Sequence, residues 1–350
     1  MKGSTIRLAV LNPKGTDPFV DYTHGPGSYH SGIHPPINYH AFAAATFGAF
    51  YDSTEQVIDN LDRYDAVLVL IRKRTWISLA AAEALKDAGA TVIIAWKECG
   101  DEQINQQLRG FRARKAYGKI LSLADGILSP TSNLPPRHGE CDEEAFQAKA
   151  RFLPTPYPLE HSQWDFSPPV ERRGILLGTR EFKNPARNHL RALELIASAA
   201  RELNLTRVTV INSEKARGLS QLKRLASKFP ADCLEIFDKP LPYLDYISLL
   251  ASHRLVFQMD QSNVPGQVAG DCLLARNLCC GGNSAIEKIV FPNLCDDGNR
   301  SREEWIQMFS RLLGEDHTYE RTRLEAQSIA KQHLSYSAVS RKLGDWNVLQ

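Results

Sequence analysis

Asn263, Gly266 and Asp271 fall in the segment SNVPGQVAGD, directly after the apolar run HRLVFQMD. The segment holds no lysine or arginine. An anion placed there would be bound by the backbone N–H groups of Gly266, Gln267 and Val268. Those groups carry partial positive charge at a helix start. Gly266 has no Cβ, so backbone and ligand can approach closely. Asp271 would then face something other than a phosphate. A second cluster, GTREFKNPARNHL from Gly178 to Leu190, supplies the missing cations as Arg180, Lys183 and Arg187. A third, DYTHGPGSYHSGIHPPINYH, concentrates His24, His30, His34 and His40 in a glycine-rich stretch. Those histidines form no i, i+4 pair on a set helix, and their only acidic neighbours are Asp17 and Asp21, so a metal site is not expected.

These residues must be positioned by repeated βαβ units. Short β-branched runs alternate with longer helical ones through both halves of the chain, which implies parallel sheets. In the first half the strands are expected at IRLAVL (6–11), DAVLVLI (65–71), TVIIAW (91–96), GILSP (126–130) and RFLPTP (151–156). Helices are expected at AFAAATFGAFY (41–51) and WISLAAAEALKDAG (76–89). A proline-rich stretch, 161–173, reads as a linker. In the second half GILLGT, RVTVIN, CLEIFD, RLVFQM and NLCCGG are strand candidates, and a long helix spans about 186–203. The tail, 302–343, is helical and amphipathic. Loops after such strands are where ligands of open parallel sheets bind.

At 350 residues the chain exceeds one ordinary core, and two domains are expected. With 42 basic and 40 acidic side chains it has no global attraction for nucleic acid or anionic membranes. No apolar run reaches the roughly 20 residues of a membrane span, and a cytoplasmic protein is expected. Seven cysteines without a Cys-x-x-Cys pair read as reduced apolar fillers, not as a disulfide framework or zinc ribbon.

From Gly178 to Asp271 the order strand, Gly-Thr-Arg, long helix, strand, helix, strand, helix, strand, Gly-rich turn and acidic helix start resembles the donor half of GT-B glycosyltransferases. Retaining members that use a nucleotide sugar typically carry Glu, Gly three residues later and a second Glu eight residues after the first. Asn263, Gly266 and Asp271 occupy those offsets, with both acids altered. The resemblance implies an α/β fold of two Rossmann-like domains facing a cleft. It gives an acceptor domain at 1–160, a donor domain at 174–335, and a helix at 336–350 crossing back with Val339, Leu343 and Trp346 as core.

The resemblance further implies a metal-independent, retaining transferase with a nucleoside-diphosphate sugar as donor and no other cofactor. Asp271 would hold the ribose hydroxyls and Asn263 a sugar hydroxyl. Gly178, Thr179, Gly266, Gln267 and Val268 would line the diphosphate. Arg180 would take the arginine role, and Lys183 or Arg187 the lysine role, against the leaving group. Backbone groups from Lys239 to Leu241 would read the base, with Tyr243 nearby. His30 stands among the catalytic candidates as a proton relay or acceptor contact. The acceptor is expected to be a glycan, a lipid-linked sugar or a modified nucleic acid. Three other readings fit the same cleft: a nucleotide-sugar epimerase, a phage-type glucosyltransferase of DNA bases using the basic run 109–119, and a catalytically silent binding protein.

Overall fold

The structure is a computed structural model that describes residues 6–27, 34–139, 141–168, 171–178, 184–212 and 215–346. Two compact units divide the chain: the first is Met1–Gln163 with Asn263–Pro265 and Gln332–Gln350, the second Trp164–Ser262 with Gly266–Lys331.

The first unit holds strands β1 (Leu8–Leu11), β2 (Val20–Asp21), β3 (Ala49–Tyr51), β4 (Ala66–Ile71), β5 (Val92–Trp96), β6 (Gly126–Ser129) and β7 (Ala150–Phe152), in the sheet order β2-β3-β1-β4-β5-β6-β7. All neighbours are parallel except β2 against β3. Every residue of β1, β4, β5 and β6 is buried, as expected for strands covered on both faces. The second unit holds β8 (Ile175–Leu177), β9 (Val208–Ile211), β10 (Leu234–Phe237), β11 (Leu255–Phe257) and β12 (Leu278–Cys280), all parallel, in the order β10-β9-β8-β11-β12.

The chain returns to the first unit at its end. There the Tyr336–Gly344 helix packs on the Asn38–Ala45 helix, and the Tyr336 hydroxyl donates to the Pro36 carbonyl at 3.2 Å. Val339, Leu343 and Trp346 are buried in one cluster with Phe42 and Phe50, the core position that the resemblance implied. Six of the seven cysteines are buried and Cys295 is half-buried, all of them free thiols.

Several expected elements are corrected. The helix read over 41–51 ends at Ala45, because Phe47 adopts a left-handed φ of 52° and the chain turns into β3. Only Arg151 and Phe152 of RFLPTP join the sheet; Pro154 and Pro156 have no N–H to give a ladder. The long helix read from 186 is two pieces, a 3-10 turn Pro185–Arg187 and the helix His189–Glu202, separated by Asn188 at a left-handed φ of 49°. The tail is helical as expected, in three helices, Arg302–Gly314, Asp316–His333 and Tyr336–Gly344.

Burial brings the imidazoles of His189 and His253 down to about 4. In the unfolded chain they titrate near 6.5, so between those pH values only the unfolded state binds the protons. Stability therefore rises with pH across that window and is flat with respect to these groups above it. The expected result is a urea-derived unfolding free energy that falls progressively as pH drops from about 6.5 towards 4, by up to about 1.4 kcal/mol per pH unit for each histidine, with the midpoint falling in step. A midpoint that stays constant across the window would contradict the burial of both rings.

Candidate functional site

In the second unit the chain turns back across the sheet between β8 and β11, which are neighbours although three helices and two strands separate them in sequence. Ligands of open α/β sheets bind outside the carboxyl ends of the strands at such a switch point. Two sequence clusters converge there. Gly178, leaving β8, donates its N–H to the Phe257 carbonyl at the end of β11 at 2.7 Å. A Cβ at Gly178 would lie 2.9 Å from Val268 Cγ1, so the missing side chain is what lets the Gln267–Leu274 helix pack so near.

Asn184 accepts from the Ala186 N–H and starts the 3-10 turn, with Pro185 fixing its first residue. That turn is stitched to the loop after β11: the Gln261 N–H donates to the Ala186 carbonyl at 2.8 Å, and Asn188 Nδ2 donates to the Met259 carbonyl at 3.0 Å. At its end Arg187 forms an ion pair with Asp260. Asp260 is 3% exposed, and its other oxygen accepts from the Ser262 N–H at 2.9 Å and from the Ser262 hydroxyl. A buried carboxylate therefore fixes one guanidinium at the carboxyl edge of the sheet.

The Gln267–Leu274 helix opens on Gly266, whose φ of 102° is a conformation that side chains other than hydrogen rarely adopt. No side chain caps this start among the described residues, and the first helical bond runs from Gly270 N–H to the Gly266 carbonyl. The N–H groups of Gln267, Val268 and Ala269 precede that bond and need partners from elsewhere. Asp271, further along, is buried, and its Oδ1 accepts from the Tyr243 hydroxyl at 2.9 Å.

Beneath Gly266 lies a third buried acid, Glu287, on the helix Ala285–Val290. It accepts from the Gly282 N–H, the Ser284 N–H and hydroxyl, and Gln258 Nε2, at 2.7 to 3.2 Å. A Cβ at Gly266 would come within 2.3 Å of that Ser284 hydroxyl oxygen.

The structure thus brings Gly178, Arg187, Gly266, Gln267, Val268 and Asp271 to one edge of one sheet. Lys239 is exposed and Leu241 half-buried in the loop between β10 and the Tyr243–Ser252 helix. Tyr243 opens that helix and holds Asp271 by its hydroxyl. Asn263 has a left-handed φ of 49°, which asparagine tolerates. Thr179, Arg180, Lys183 and His30 lie outside the described residues.

Asp260 and Glu287 were not singled out from sequence. Glu287 carried a readable signal, the Ser-x-x-Glu capping box of SAIE. Asp260 carried only a weak one, an acid two residues before a serine at a strand end.

No protein-family model and no curated protein sequence matches the chain. Solved structures do. A glycosyltransferase from Rickettsia africae aligns over 99% of each chain at a TM-score of 0.63 and 11% identity. Alr3699/HepE of Anabaena, in complex with UDP, aligns over 97% of this chain and 99% of its own at 0.60 and 10%. The E. coli trehalose-6-phosphate structure bound with UDP-2-fluoro glucose aligns over 98% and 99% at 0.64 and 11%. The chain has the GT-B fold.

In the first unit the described histidines of the histidine-rich stretch sit in different surroundings. His40 lies in the Asn38–Ala45 helix, stacked on Phe50 with centroids 3.6 Å apart and 3.0 Å from the Tyr22 hydroxyl, and burial brings its imidazole down to about 4. His24 and His34 are exposed. Lys97, after β5, pairs with Asp17 at 2.8 Å. Burial raises the Asp17 carboxyl, but Lys97 and Asn12 outweigh it and hold it below the usual carboxylate range. The basic run 109–119 forms the start of the Phe111–Leu123 helix. There Arg112 lies over Trp76 at 4.3 Å and Arg114 donates to the Leu108 and Arg109 carbonyls. No helix among the described residues is long and apolar enough to cross a membrane.

Proposed function

We propose that the protein is a glycosyltransferase that moves a sugar from a nucleoside-diphosphate sugar, with UDP as the carrier, to an acceptor hydroxyl. The observation that carries this reading is the uncapped start of the Gln267–Leu274 helix beside Arg187 at the β8–β11 switch point. Helix N–H groups and a guanidinium held by a buried acid are suited to a diphosphate. The UDP ligands of the Anabaena and E. coli structures support the choice of base.

In this reading the 174–335 half binds the donor and the 1–160 half the acceptor. Arg187, with Arg180 and Lys183, neutralises charge that develops on the leaving diphosphate as the anomeric bond breaks. Preorganised charge of this kind is worth several kcal/mol, on the order of 3 for one donor group. Thr179 and Gly178 border the same group. Asp271, oriented by Tyr243, accepts from ribose hydroxyls; Lys239 to Leu241 meet the base through their backbone. Asn263 contacts the transferred sugar, and His30 serves the acceptor side. Transfer proceeds without a metal and with retention at the anomeric carbon. The acceptor supplies the attacking hydroxyl.

The experiment is release of free nucleotide from UDP-, GDP-, ADP- and CMP-sugars, with Asp271→Asn as the informative variant. Asparagine keeps the volume and an oxygen for the Tyr243 hydroxyl but loses the charge. The expected result is turnover of a UDP-sugar by the native chain and a donor KM raised about tenfold or more by the variant, as for loss of a charged hydrogen-bond acceptor. An unchanged KM in folded Asp271→Asn would remove the ribose assignment.

A further inference from the structure

The first unit has its own switch point. The chain leaves β1 towards β3 on one side and returns through β4 on the other, so β1 and β4 are neighbours at the crossing. A pocket of about 770 Å³ opens at the carboxyl ends of β1, β4 and β5. It is lined by Lys14 after β1, by Arg72, Lys73 and Arg74 after β4, and by Arg109; Glu98 is the one acid. The ion pairs of this unit among the described residues, Arg63–Asp21, Lys86–Asp125, Lys97–Asp17 and Arg137–Glu143, all use other cations.

Five basic side chains around one concavity, in a chain of net charge +2, repel one another unless an anion joins them. Lys73 and Arg74 are exposed ahead of the Thr75–Asp87 helix, so the positive end of that helix adds to the field. Ser78 and the amides Gln103, Gln106 and Gln107 also line the pocket. A phosphate would satisfy the cations, and these neutral polar groups suit hydroxyls. A ligand that carries both a phosphate and hydroxyls meets both demands.

We propose that this pocket binds a phosphate-bearing sugar, and that the acceptor is therefore a sugar phosphate held by its phosphate against Arg72, Lys73 and Arg74. This rests on the transferase reading and names its substrate class. Phosphate on a small soluble sugar and phosphate on a lipid headgroup share the same chemistry. Among the described residues only Pro13 and Ile77 of the lining are apolar, too few to bury an acyl chain, which favours the soluble form.

The test is the unfolding midpoint of the full chain with saturating UDP present, titrated with a panel of hexose monophosphates, the parent hexoses, inorganic phosphate and vesicles containing phosphatidic acid. A ligand that binds the native state raises the midpoint by mass action. We expect at least one hexose monophosphate to raise it more than inorganic phosphate does and the parent hexoses to leave it unchanged. The double variant Lys73→Ala, Arg74→Ala should weaken the sugar-phosphate response about tenfold or more, as charged hydrogen bonds are lost, with the UDP response intact. Lys115→Ala, on the exposed face of the Phe111–Leu123 helix, should change nothing.

The inference is overturned if no monophosphate of the panel binds, if only the vesicles bind, if UDP abolishes the phosphate response, or if the double variant responds like the native chain. Failure of the native chain to respond to UDP itself would instead overturn the donor reading.

Discussion

Asp260→Ala is expected to lose measurable donor binding and to destabilise the second unit by about 3–5 kcal/mol, the cost of breaking a buried ion pair by removing one partner. Arg187 keeps only 20% of its side chain exposed, so its charge cannot simply move into water. The substitution also takes the acceptor from the Ser262 N–H and hydroxyl, at the point where the loop leaves β11. Chemical denaturation gives the stability and calorimetry with UDP gives the binding. Arg187→Ala tests the pair from its other side. It leaves the more deeply buried Asp260 carboxylate without this cation, so a stability loss of similar size is expected, while the donor affinity falls as far as in Asp260→Ala. Equal donor affinity in Arg187→Ala and the native chain would detach this ion pair from the site.

Gly266→Ala is expected to be more damaging than its single methyl suggests. At φ of 102° an alanine is strained, and its Cβ would meet the Ser284 hydroxyl oxygen at 2.3 Å. Ser284 cannot swing aside cheaply, because that hydroxyl is bonded to the buried Glu287 at 2.7 Å. Strain of this kind costs on the order of 1–3 kcal/mol before the clash is counted. The chain escapes it by moving the first turn of the Gln267–Leu274 helix, which carries the N–H groups assigned to the diphosphate. Donor affinity should therefore fall by about a hundredfold or more, the equivalent of the upper end of that strain. Glu287→Gln, which keeps the acceptor oxygen but loses the charge, should have a smaller effect in the same direction.

The sheets were legible in the sequence because each buried strand is a continuous apolar run, as in DAVLVLI and TVIIAW. The short edge strands were not. β3 sits in AFAAATFGAFY, where small and aromatic residues suit a helix equally well, and only the left-handed Phe47 divides the two. In the same way Asn188 breaks a helix-compatible run, and the break sets Arg187 on the short turn beside Asp260.

The glycine at 266 and the acid at 271 were readable from spacing, since helix starts and glycine turns are local. Asp260 and Glu287 were harder to find because their importance is tertiary. One fixes an arginine 73 residues away, and the other supports a turn from the next βα connection. The pocket of the first unit was invisible for the same reason. Its cations come from three separate segments, Lys14, Arg72 to Arg74 and Arg109, which only the fold brings together.

The measurement that bears most directly on the central claim is a calorimetric titration of the native chain and folded Gly266→Ala with UDP, GDP and ADP. Saturable binding of UDP by the native chain and at least a hundredfold weaker binding by the variant are expected, the loss that follows when the helix start is displaced. Absence of binding by any diphosphate to the native chain, or equal affinity in the two proteins, would contradict it.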